Sequence, residues 1–213
     1  MKDIQVTLYD VFGYIFPGAI FLAAMSLGYW TAFLSPDQDL TKITAAGWIL
    51  ILMVAYVSGH LVQALANLVG LVLDPSPRTI PAEVVNAAQA RARALIGSPE
   101  GVALAPQTVF EICDHYVQQE GETAARDIYV YREGFYRGMT VAMLSLAPAL
   151  IARACLTGAS INAFGIAHRF TVSQLLVLAI GSCISSFFFF KRYRRFGSYL
   201  LKNAVYGALV IRS

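Results

Sequence analysis

The sequence predicts an all-α, polytopic membrane protein with four transmembrane helices and a small cytosolic helical domain between the second and third. Three observations carry that reading. The 213 residues are 57% hydrophobic and only 14% charged, where a soluble domain carries about a quarter charged. The stretch from Ala46 to Leu73 holds no charged side chain in 28 residues. At about 1.5 Å per residue it reaches about 42 Å, beyond the roughly 30 Å hydrocarbon core, so it must tilt or project past one face. Finally, Lys and Arg cluster on alternate connections. Six lie between spans two and three (Arg78, Arg91, Arg93, Arg126, Arg132, Arg137) and six in the tail (Lys191, Arg192, Arg194, Arg195, Lys202, Arg212), against Lys42 and Arg169 in the opposite loops. By the positive-inside rule both termini and the 74–137 segment are expected in the cytosol of a bacterium, under its inner membrane.

The first hairpin covers residues 1–73, with spans at about 11–34 and 46–73. Span one is too long for a signal-peptide core and is expected to stay as a membrane helix. It contains Pro17, which lacks a backbone N–H and crowds the carbonyl of Gly13, so a kink is expected there. Gly13 and Gly18 allow a neighbouring helix to approach closely. Tyr29 and Trp30 suit an interfacial belt.

Residues 74–137 read as three helices. The first runs from Pro81 to Gly97, the second starts near Pro106 with an apolar face of Val109, Ile112, Cys113, Tyr116 and Val117, and the third leads directly into span three. The second hairpin, 138–190, has spans at about 138–158 and 171–190. Pro148 interrupts the ladder of the first, and Arg153 near its end is expected to snorkel, or else to be a buried ion-pair partner or a selectivity charge at a pore mouth. Gly181, Ser182, Ser185 and Ser186 supply small packing residues. A basic C-terminal helix, 191–213, is expected in the cytosol or at the interface. Its cations anchor topology or meet phosphate.

Tyr56, His60, Gln63 and Asn67 fall within about 60° on the span-two helix. Facing lipid, such groups would lose hydrogen-bond partners at a cost of several kcal/mol, so the stripe is expected to face protein or water, as bundle glue or as a pore lining. Pro17, Gly18 and Pro148 are candidate hinges. Arg132, Tyr136, Arg137, Lys191, Arg192, Arg194 and Arg195 are candidates for contact with a partner or with headgroups. Glu111, Asp114 and His115 share a helix face whose spacing could offer two or three metal ligands, but no second cluster completes a site and the face is expected to be solvated. No nucleotide-binding loop, dinucleotide fingerprint, zinc-protease helix or kinase set occurs, and Ser58 beside His60 lacks a nucleophile turn. No catalytic residue, cofactor or metal is expected, and no direct contact with nucleic acid. The three cysteines, Cys113, Cys155 and Cys183, suggest reduced thiols.

Three patterns, Asp10-x-x-Gly13 followed by Pro17-Gly18, Tyr56-x-x-Gly59-His60-x-x-Gln63, and Arg132-x-x-x-Tyr136-Arg137, together resemble small four-span membrane proteins of prokaryotic antiphage defence systems. The resemblance implies a membrane sensor or effector that oligomerises and alters permeability, or that recruits a cytosolic nuclease or signalling partner. It carries over no catalytic residue. Two readings follow: a homo-oligomer, tetrameric rather than dimeric, that is channel-like and controlled by its cytosolic domain; or a membrane scaffold docking a soluble partner. A membrane-embedded enzyme ranks last.

Overall fold

The structure, a computed structural model, describes residues 11–29, 43–73, 80–99, 101–120, 124–156, 160–163 and 166–211. Asp10, Trp30, Lys42, Arg78 and Arg212, on which some of the expectations rest, lie outside them. A π-helical turn, Val11–Ile15, leads into α1, Phe16–Tyr29. Then come α2, Ala45–Leu73; α3, Ala82–Ile96; α4, Pro106–Glu120; α5, Ala124–Leu156; a short hairpin of β1, Ser160–Ala163, and β2, Ile166–Arg169; and α6, Val172–Val210.

Three of these helices are long and apolar enough to cross a membrane: Ala45–Leu68, Arg126–Cys155 and Val172–Val210. The chain is therefore built as a membrane protein. Its surface agrees, since Leu50, Met53 and Val57 of α2 and Val177, Ile180 and Phe188 of α6 are each at least 60% exposed. Apolar faces of that extent are stable in lipid and a liability in water. The apolar helix Val11–Leu27 is shorter, and the expected end of span one, residues 30–34, falls outside the described residues.

The chain divides into two compact units. The first comprises residues 1–73 and 134–193, the second 74–133 and 194–213. The division falls inside α5 and α6, so the helical segment after Leu73 gathers the end of α6 into its own core.

In the first unit α1 and α2 cross at contact distance. A Cβ built on Gly18 would strike the carbonyl oxygen of Ala55 and the amide of Gly59, and one on Gly59 would strike the carbonyl of Tyr14. Only glycine lets two backbones meet that closely, which is why α2 buries a line of small residues, Ala55, Gly59 and Ala66, beside Val62. Val62 and Ala66 also pack on Val141 and Ala142 of α5, with Ile20, Phe21 and Leu65 around them.

The α5–α6 contact uses a repeat of buried residues, Leu175, Ala179, Ser182 and Ser186, at alternating steps of four and three. Ser182 Oγ donates to the Met143 carbonyl at 2.7 Å and Ser186 Oγ to the Thr140 carbonyl at 2.9 Å. These hydroxyls occupy second lone pairs of helix carbonyls, so neither is left unpaired in an apolar setting. Gly181 is different from the expectation. It points outward, and a Cβ built on it would meet nothing within 4 Å, so it is not a packing residue.

In the second unit, Ala88 and Ala92 of α3, Val109, Cys113 and Val117 of α4, and Val205 and Ala208 of α6 form one core. Pro81 caps the start of α3, and Gly97 ends it at φ 64°, in the left-handed region that glycine adopts freely. Burial pushes the Cys113 thiol above its ordinary range, outweighing the lowering effect of Arg91. Such a thiol is protonated and unreactive at neutral pH. Asp114 sits 8% exposed rather than on a solvated face, and it receives both Nε (2.7 Å) and a terminal nitrogen (2.6 Å) of Arg126. Glu111 accepts from Gln107, and His115 meets Gln119.

Two features depart from the expected elements. The basic C-terminal segment is no separate helix, because α6 runs unbroken for 39 residues from Val172 to Val210. No proline interrupts it, and Lys and Arg at 191–195 propagate a helix well. The connection before it holds an antiparallel hairpin pairing Ser160 with Arg169 and Ala163 with Ile166, where a plain loop was expected.

Candidate functional site

In the first unit the Gln63 carboxamide makes three hydrogen bonds. Pro17 has no N–H to give the carbonyl of Gly13, four residues earlier, and a bare carbonyl in an apolar medium is costly. Gln63 Nε2 donates to that oxygen at 3.0 Å. The same nitrogen donates to the Gly134 carbonyl of α5 at 2.8 Å, so both of its hydrogens are used. Its Oε1 accepts from Arg137 Nε at 3.4 Å, a long bond. One side chain of α2 thereby ties the turn before α1 to α5.

The space for it comes from Gly138, where a Cβ would lie 2.6 Å from Gln63 Nε2 and 3.2 Å from Pro17 Cγ. Gly134 and Gly138 were missed as site residues. Their signal was present, a Gly-x-x-x-Gly spacing at the start of span three.

The remaining stripe residues are not buried with Gln63. Tyr56, His60 and Asn67 are exposed on the single chain. On a helix the buried positions 55, 59, 62 and 66 centre about 100° from the centre of the polar stripe, so the stripe flanks the packing face and only its nearest member enters the bundle. His60 stacks on Tyr14, ring centroids 4.1 Å apart and 25° between planes, and meets Tyr56 edge-on at 4.7 Å.

Phe12 and Phe16, on either side of Tyr14 in the sequence, stack on each other at 5.3 Å. Phe12 touches Phe135, and Phe135 and Tyr136 touch Phe189. These rings form a belt of the kind that marks a membrane–water boundary.

Of the candidate hinges, Pro17 and Gly18 are buried at the α1–α2 crossing, while Pro148 is exposed within a continuous α5. Of the candidate contact residues, Lys191, Arg192, Arg194 and Arg195 are exposed and Tyr136 and Arg137 half-buried. Lys191 Nζ stands 4.8 Å over the Phe187 ring, Arg132 lies over Phe196 at 5.4 Å, and Arg195 Nε donates to the Tyr199 hydroxyl at 2.7 Å. Arg153 is half-buried. Among the described residues no group of three or more His, Cys, Asp and Glu side chains could hold a metal ion.

Comparison of the chain with known protein families, curated proteins and solved structures gives no match.

Proposed function

We propose that this chain is a homo-oligomeric, channel-like membrane sensor or effector acting in a defence or stress response, with its 74–137 segment as the cytosolic control element. The observation that carries the reading is the exposure of Tyr56, His60 and Asn67 on the flank of a membrane-length helix. A second copy or a hydrated lumen removes the cost of leaving such groups against lipid. Cyclic assembly, tetrameric in this reading, sets one His60 strip per copy around a mouth, as closed homo-oligomers repeat one surface.

The reading includes four spans in a bacterial inner membrane, with both termini cytosolic. Single-cysteine variants at Asp39 and Ser160 are then expected to react with an impermeant reagent outside intact cells, while those at Gln89 and Ser198 stay unlabelled. Labelling at Gln89 removes the cytosolic control element.

For conduction, the purified chain is reconstituted in proteoliposomes and compared with His60→Leu by ion flux and by covalent cross-linking of the assembly. Flux by the wild type that changes in His60→Leu, with equal cross-linking, supports the lumen. Equal assembly with no flux from either form, while biological activity persists, favours a membrane scaffold for a soluble partner. A cleft of ≈ 520 Å³ on α3 and α4, lined by Leu95, Ile96, Ile112 and Tyr116 with Glu111 and His115, is the feature that scaffold would use.

A further inference from the structure

We infer that the turn of α6 bearing Lys191 and Arg192 is a binding surface for the phosphate of an anionic phospholipid, whether or not the chain conducts ions. The exposed face of α6 is apolar through Ile180, Ile184, Phe187 and Phe188, all at least half exposed. Lys191 follows at the next step of that same face and Arg192 beside it, both exposed. One helix side thus passes from acyl-chain chemistry to cationic chemistry within a turn.

Two further observations place that change at headgroup depth. The Lys191 ammonium folds back to 4.8 Å over the Phe187 ring, so the cation is held against an exposed aromatic of the preceding turn. The aromatic belt of Phe12, Phe135, Tyr136 and Phe189 meets α6 at this level, where rings favour the interface.

The net charge of the ligand follows from what the protein lacks there. Among the described residues no carboxylate forms an ion pair with Lys191 or Arg192, whereas Arg126 pairs with Asp114 and Asp127. Two uncompensated cations favour a headgroup of net negative charge over a zwitterion, whose ammonium they repel. A guanidinium also takes two phosphate oxygens at once, which fixes the headgroup as well as attracting it.

The test is native mass spectrometry of the full chain released from vesicles of phosphatidylcholine mixed with phosphatidylglycerol. Retained lipid is expected to be phosphatidylglycerol, in amounts that fall as salt rises. Lys191→Gln with Arg192→Gln is expected to lower retention about 25-fold, at about fivefold per cation. The exchange Lys191→Arg with Arg192→Lys is expected to retain it, and circular dichroism checks that both variants keep wild-type helicity. Equal retention of the two lipids by the wild type, retention insensitive to salt, or full retention by the neutral variant overturns the assignment. So does displacement of the lipid by inorganic phosphate, which would make this a soluble-phosphate site.

Discussion

Gly59→Ala is expected to unfold the membrane unit at a much lower denaturant concentration than the wild type, with a loss of about 3 kcal/mol or more. The added methyl would enter the carbonyl of Tyr14, and backbone, unlike a side-chain tip, cannot step aside without separating α1 from α2. Overpacking of this kind costs about 1–3 kcal/mol when side chains absorb it, and more when they cannot. Separation would also withdraw Gln63 from the Gly13 carbonyl. The matched control is Gly181→Ala, where nothing lies within 4 Å and the gain in helix propensity is worth up to about 1 kcal/mol. The measurement is unfolding in mixed micelles followed by circular dichroism. Equal midpoints for the wild type and Gly59→Ala would refute the close crossing.

Gln63→Leu comes next, at about 2 kcal/mol. Leucine preserves much of the volume but donates to neither the Gly13 nor the Gly134 carbonyl. The Gly134 oxygen retains the helix donor at Gly138, so the larger share of the cost falls on Gly13, which Pro17 deprives of its normal partner. This makes the effect conditional. In a Pro17→Ala background an N–H at position 17 can serve Gly13, and the cost of Gln63→Leu is expected to shrink by about 1 kcal/mol. Strict additivity of the two substitutions in a double-mutant cycle would show that Gln63 does not stand in for the missing proline donor.

Much of the scaffold was legible because local chemistry and tertiary structure agree. Pro81 and Gly97 bracket α3 and Pro106 opens α4 as their backbone preferences dictate. The apolar face around Cys113 is the one that packs. The glycines flanking Pro17 signalled a close crossing without naming its partner, since pairing Gly18 with Gly59 takes geometry that no spacing within one helix contains. The polar stripe shows the limit most clearly. Its four residues share an arc, but burial depends on where the neighbouring helices sit around that arc. Gln63 is inside while His60 is not. Asp114 looked like a member of a solvated patch because its partner, Arg126, belongs to the next helix. The unbroken α6 was obscured by hydropathy, which changes sharply at Lys191 although helix propensity does not.

The bond from Gln63 to Gly134 bridges 71 positions of sequence, and that separation has a meaning in time. At a synthesis rate of about 5–20 residues per second, the ribosome needs about 4 to 14 s after making Gln63 before Gly134 exists. Throughout that interval one hydrogen of the Gln63 carboxamide lacks the acceptor it has in the folded chain. The hydrogen bonding of the α1–α2 crossing is thus complete only once the start of α5 has been made.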